Sequence, residues 1–279
     1  MLGSVFPGIP TNLGVLYLTG GNSSLKPEYA TTWTTSLKLE PRFAKGLRIE
    51  GSYFDISFRD RVAQPLTNAL NAFNDPTAGS LAIRNPTSAQ IAAAVARLPQ
   101  GAQNFTGLPD ASVVIGGIVD NTIQNAARQT IRGFDLAVDY QAKLNANDTL
   151  QLTGSLTYQE SDQQLAEGKP VVQLSGLIFN PPHWRGRIGG TFRHANTGLS
   201  LFANYVGGTL DNRLQPNLRV GAFTSLDAVV RIRAADESGP FRGLEATVGL
   251  MNMFNERPDT IRNTNAALPP YDSANYSVA

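Results

Sequence analysis

The chain has 279 residues, a formal net charge of +1 and 16% charged residues. That length suits one large domain or part of a larger one, near-neutrality gives no electrostatic reason to expect nucleic acid as a partner, and the charge content lies below the globular norm of about 25%. With no cysteine, disulfide frameworks, thiolate metal sites and cysteine nucleophiles are excluded.

The two histidines, His183 and His194, lack metal-ligand spacing. No apolar run approaches the roughly 18 residues of a transmembrane helix. Met1–Pro10 has neither the basic n-region nor the uninterrupted apolar core of a signal peptide. If the protein works outside the cytoplasm, its export signal is expected to lie outside this chain.

In chain order, the first segment with a two-residue period is 31–40, with Trp33, Leu37 and Leu39 set against Lys38, Glu40 and small hydroxyl residues. Segment 46–58 follows and changes phase near Tyr53 and Phe54, which predicts a bulge or a change of environment. From Arg59 to about Asn125 the alternation stops, and a very long loop is predicted. Inside it the alanine-rich window Ser88–Leu98 predicts a short surface helix, with Ser88 as N-cap and Pro99 as stop.

Alternation resumes at 133–141, where Phe134, Leu136, Val138 and Tyr140 oppose Asp135, Ala137, Asp139 and Gln141. In 149–158, Leu150, Leu152, Leu156 and Tyr158 share one face with Gly154, and Thr, Gln and Ser occupy the other. Segments 183–193, 198–206, 224–234 and 243–250 repeat the pattern. A pleated strand between two unlike environments requires this periodicity.

The connections alternate in length. Those at 41–45, 145–148, 195–197 and 235–242 are short; those at 59–125, 160–182, 207–223 and from 252 onward are longer. A sheet trimmed at one end and elaborated at the other is what transmembrane barrels build, with short periplasmic turns and long extracellular loops, on tilted strands of about 9–11 residues. A soluble β-sandwich also alternates, but it carries loops at both ends and prefers charge on its solvated face. The fold class read here is therefore all-β, an antiparallel transmembrane β-barrel.

Particular segments sharpen this. Asn22–Glu28, NSSLKPE, followed by Tyr29–Trp33, resembles the N-x-x-L-K-P-E segment that opens a late strand in TonB-dependent receptor barrels. Gly46–Val62 looks like the matching up-strand, Gly249–Pro258 resembles the N-L-F-N segment leading into the last extracellular loop, and Pro270–Asp272 with Asn275–Tyr276 resembles the lead into the final strand. The resemblance runs from about Asn22 to the end. It implies that 1–279 is the C-terminal portion of such a barrel, about eight strands of about 22, with the large extracellular loop at about 59–125. The chain departs from the family in showing no plug domain and in stopping at Ser277–Ala279 before a last strand, which reads as a fragment.

No P-loop, GxSxG or HExxH occurs, so an enzyme is not expected, nor any catalytic, cofactor or metal residue. His183 reads as structural. Asp55, Asp60, Asp135 and Asp139 are expected to pair with Arg59, Arg61, Arg132 or other lumen cations, and Trp33, Tyr53, Tyr158, Trp184 and Tyr205 to form interfacial girdles. Ligand contacts are expected in the long loops, at Arg84, Arg213, Arg219 and Tyr271, since arginine forks suit anionic chelates.

The resemblance implies a receptor that binds and imports a scarce nutrient, a ferric siderophore first by family frequency. Its implied partners are outer-membrane lipid, the small-molecule ligand, and the TonB complex through a plug that this chain lacks. The alternatives are a passive porin-like or structural barrel and a soluble β-rich binding module.

Overall fold

The computed structural model describes residues 5–66, 68–75, 78–98, 101–166, 168–213, 216–234, 242–262 and 269–276. In chain order the strands are β1 (Gly14–Gly20), β2 (Tyr29–Leu39), β3 (Leu47–Ala63), β4 (Ala82–Arg84), β5 (Ile115–Thr122), β6 (Gln124–Lys143) and β7 (Asp148–Gln164). They continue as β8 (Val172–Gln173), β9 (Trp184–His194), β10 (Thr197–Val206), β11 (Thr209–Asp211), β12 (Leu218–Val220), β13 (Phe223–Arg233) and β14 (Glu245–Leu250). The α-helix α1 (Ser88–Ala96) lies between β4 and β5, in a segment that also carries short 3-10 turns. Eight strands form the path β14-β13-β10-β9-β7-β6-β3-β2, with β8 added beside β7. Contacts divide the chain into two compact units. One comprises 1–31, 57–129 and 163–172; the other comprises 32–56, 130–162 and 173–279.

In the second unit, antiparallel register sets outward residues in rows across β7, β9, β10 and β13. Leu156, Gly186, Tyr205 and Thr224 form one row; Gly154, Ile188, Ala203 and Leu226 form the next; Leu152, Gly190, Leu201 and Ala228 form the third. Large and small side chains thus alternate like a checkerboard. This face is apolar and open: Ile188 is 68% exposed and Leu201 51%, so it lies in lipid rather than against a core. From Trp184 to Phe192 the outward band of β9 spans about 26 Å at about 3.3 Å per residue, matching a tilted bilayer crossing. Among the described residues no helix is long and apolar enough to cross a membrane.

The turns explain the pairing. Asn145 Oδ1 accepts the backbone N–H groups of Asn147 and Asp148, both at 2.9 Å, closing the β6–β7 turn. The β9–β10 connection is two residues long, with Ala195 at φ 47°, the left-handed backbone that such hairpins demand.

β3 continues beyond 58 to Ala63 and runs unbroken through Tyr53 and Phe54. The phase change there has a steric reason. Tyr53 points outward and is 50% exposed. Phe54 lies over Gly133 on the polar face, where an added Cβ would meet its ring at 2.8 Å. Gly189 has the same relation to Phe202, whose ring occupies the space a Cβ would need.

The first unit holds a small separate sheet, order β1-β5-β4, in which β1 and β5 are parallel. Its core contains Phe6, Val15, Leu66, Phe73 and Val119, and Leu18, Ala94 and Ile118 form a second cluster beneath α1. The stretch 59–125 is therefore not a structureless loop: β3 supplies its start, β6 its end, and β4, α1 and β5 lie between. The helix N-cap is Thr87 rather than Ser88, because Thr87 and Gln90 make a reciprocal capping box. Pro99, the expected stop, lies outside the described residues.

Candidate ligand-facing loop site

Three loops of the second unit pack into one knot. Leu210 of β11 forms an isolated parallel bridge with Leu177, and Ile178, Val220 and Ile261 bury a small apolar centre. At its polar heart are two fully buried carboxylates, Asp211 and Asp272. Arg213 donates to both oxygens of Asp211 at 2.9 Å, to the Arg262 carbonyl at 2.7 Å, and stacks 5.0 Å above the Phe179 ring. Asp272 accepts the Phe179 N–H at 3.1 Å and the Asn275 amide at 2.9 Å.

The Arg213 hydrogen bonds hold the Asp211 carboxyl below the usual range, against the opposing effect of burial, and Asp211 in turn raises Arg213. Burial, with Asp272 and Asp259 nearby, pushes the Tyr276 phenol up. The hydroxyls of Tyr276, Thr209 and Ser175 are buried with no partner among the described residues.

Two of the four arginines and tyrosines expected to face ligand fall in or beside this knot with some freedom. Arg219 is exposed on β12 opposite Leu210 and has no acceptor among the described residues. Tyr271 is half-buried beside Asp272. Arg213 is committed to the knot. Arg84 sits in the other unit, where its guanidinium donates to the carbonyls of Gly8 and Phe73 and lies over the Phe73 ring, tying β4 to that core. Sequence reasoning missed Asp211, whose only local signal is an Arg two residues on, and Asp272, which has no such neighbour.

The first unit carries its own recess of about 930 Å³, lined by Thr19, Asn22, Ser23, Arg97, Gln103 and Thr122 among others. Arg97 pairs with Asp120 and donates to Thr122 at 3.1 Å. Burial raises the Asp120 carboxyl, but the Thr122 and Arg97 hydrogen bonds outweigh it and leave it low.

On the polar face of the sheet, Asp135 accepts from Thr157 at 2.6 Å and Asp139 from Gln151 at 3.0 Å, while Arg132 pairs with Glu160 and Asp162. The expected pairing of Asp135 and Asp139 with cations is thus replaced by hydrogen bonds across neighbouring strands, which neutral partners at the right register make without desolvating a second charge. At the loop end Tyr158 lies 4.7 Å from Trp184 and 5.5 Å from Phe134 between ring centroids, and His183 stacks on Tyr158. His183 also holds the Gln159 carbonyl through Nδ1. This aromatic row, with the charged row just beyond it, marks a membrane interface.

An apolar wall as tall as a bilayer core, trimmed turns at one end and folded loops at the other define an outer-membrane β-barrel, here an open part of one. The TonB dependent receptor-like β-barrel family model matches residues 2–255, and the chain belongs to that family and to the bacterial outer membrane. In fold it is similar to the outer membrane transporter YddB from Escherichia coli, with TM-score 0.53 at 8% identity over 88% of this chain and 32% of that one. Also matched are the FrpB iron transporter from Neisseria meningitidis, with TM-score 0.49 at 13% identity over 86% and 29%, and the ferripyoverdine receptor of Pseudomonas aeruginosa, with TM-score 0.47 at 12% over 84% and 24%. The chain spans no more than about a third of these structures. No curated protein matches it by sequence.

Proposed function

We propose that the chain is the C-terminal portion of the barrel of an active-transport receptor. The intact protein would bind a scarce nutrient, a ferric siderophore first, at its extracellular loops and import it with energy delivered through TonB. The observation that carries this reading is the family match over 2–255. It is supported by loops that fold into a rigid platform with an uncommitted Arg219 at its surface, since a preorganised cation suits an anionic chelate.

The test is uptake of radioactive iron by cells whose only receptor is the full-length gene product, offered a panel of ferric siderophores. Uptake of at least one chelate that vanishes on deletion of TonB supports the proposal. Uptake that persists without TonB identifies a passive barrel. No uptake of any chelate, with normal receptor levels, rejects siderophores as the substrate class.

A further inference from the structure

A glycine inside a β-strand weakens it and marks a place where another backbone or a ligand comes close. The glycines of β6 and β9 have such neighbours inside the molecule. Gly133 and Gly189 face the rings of Phe54 and Phe202, and an added Cβ would lie 3.2 Å from the Leu156 side chain at Gly186 and 3.1 Å from that of Leu152 at Gly190. Gly154 of β7 has none: nothing lies within 4 Å of where its Cβ would be.

Gly154 points to the lipid side and is the register partner of Ile188. Across the other flank of Ile188 the partner is Ala203, and Gly186 and Gly190 precede and follow it on the same face of β9. Ile188 therefore stands as a peg in a ring of four small residues. It is 68% exposed, more than any other large apolar side chain of β7, β9, β10 and β13. The ring opens into a recess of about 340 Å³, bordered by Leu156 and Tyr205 with Gly154, Gly186 and Ala203 as its floor.

The outward positions of β7, β9 and β10, from the Tyr158–Trp184 row to Phe192, carry no charge, so whatever covers the recess lives in the membrane. In lipid, adhesion between protein surfaces rests on close packing, and small residues are what let two backbones approach. A lipid chain needs no such ring to lie on a wall, whereas a wall with pegs and rings of its own does. Two copies in one membrane stand the same way up, so their two-fold axis runs along the membrane normal and brings residues of equal depth together. Ile188 and the ring around it share one depth, as that symmetry requires.

The area is also sufficient. The apolar band is about 26 Å tall, and β6, β7, β9, β10 and β13 side by side are about 24 Å wide at about 4.8 Å per strand. That gives about 600 Å² per copy and about 1,200 Å² for two, above the roughly 1,000 Å² of a specific interface.

We propose that this wall is an interface between two copies of the protein in the membrane, in which Ile188 of each copy enters the ring of small residues of the other. Such pairing is independent of what the barrel imports.

The experiment uses the full-length gene product in outer membranes, with thiol oxidation by copper phenanthroline read as dimer on non-reducing gels. The 279 residues contain no cysteine, and the unaltered receptor sets the background. Ile188→Cys should give at least about fivefold more disulfide-linked dimer than Val248→Cys, a position of like exposure, 65%, on β14 outside the patch. Gly154→Phe fills the ring from open space, and in that background the Ile188→Cys yield should fall at least about fivefold.

Equal yields from positions 188 and 248 mean random collision and overturn the proposal. So does an Ile188→Cys adduct with the mass of a different protein, an undiminished yield with Gly154→Phe, or no dimer from position 188. Should a variant fail to reach the membrane, photobleaching of the fluorescently tagged, otherwise unaltered receptor decides the matter: paired steps support the interface, and single steps throughout reject it.

Discussion

The carboxylate of Asp227 accepts the backbone N–H of Asn252 at 2.9 Å. Asp227 sits on β13 and Asn252 just past the end of β14, so a side chain takes the place of the next ladder acceptor. Met253 then returns to the Leu226 carbonyl at 2.7 Å. Asn252 adopts φ 46° and bonds Glu256 in both directions, which turns the chain off the sheet. Asp227 is buried and also holds Asn204 at 2.8 Å, with Arg187 at 3.7 Å.

Removing that carboxylate strands several donors at once. Asp227→Ala should cost about 2–3 kcal/mol, the range for lost hydrogen bonds to a buried charge, and Asp227→Asn less. Urea unfolding in micelles measures both. An alanine variant within about 0.5 kcal/mol of the unaltered chain would show that the turn at Asn252 stands without Asp227.

Ala195 occupies a left-handed position in the two-residue β9–β10 turn. Alanine is strained there, and asparagine is not. Ala195→Asn should therefore raise stability by about 0.5–1 kcal/mol, read from the same unfolding midpoint. A neutral or negative result would mean that the turn relaxes around alanine.

Gly189 and Phe202 should be energetically coupled. A methyl group at 189 would overlap the Phe202 ring, so Gly189→Ala should destabilise by about 1–3 kcal/mol. In the Phe202→Ala background the same change should cost less, the part that remains coming from the Leu201 carbonyl, 2.7 Å from the added Cβ. A double-mutant cycle with no interaction energy would separate the two residues.

The loop knot should loosen in acid. The folded Asp211 carboxyl is held below the ordinary value of about 3.9, chiefly by Arg213. Its stabilising contribution is therefore complete above that value and is lost as pH falls through the lower folded value. Hydrogen exchange over residues 207–222 should quicken as pH drops below about 4, beyond the intrinsic change. Arg213→Gln should give fast exchange already at neutral pH. Protection that is flat across this window would assign the knot's stability to its apolar centre.

The eight long strands were legible because one face meets lipid and the other does not, so Leu150 and Gln151 had to differ. Strands β1 and β5 were not. Val15 and Leu18 of β1 and Ile118 and Val119 of β5 are all buried, and a parallel strand covered on both faces loses its alternation. The helix was legible in composition, but its start was misplaced by one residue because Thr87 and Ser88 are both good caps and only the reciprocal Gln90 bond distinguishes them. The pairing of Arg213 with Asp211 was local, yet the approach of Asp272 depends on how distant loops meet.

Phe54 and Phe202 each cross a glycine on the neighbouring strand: an added Cβ would meet the Phe54 ring at 2.8 Å from position 133 and would overlap the Phe202 ring from position 189. Each ring keeps its seat on the polar face only while the facing residue has no side chain. Two absent atoms thus tie the choice of residue on one strand to the residue carried by the next.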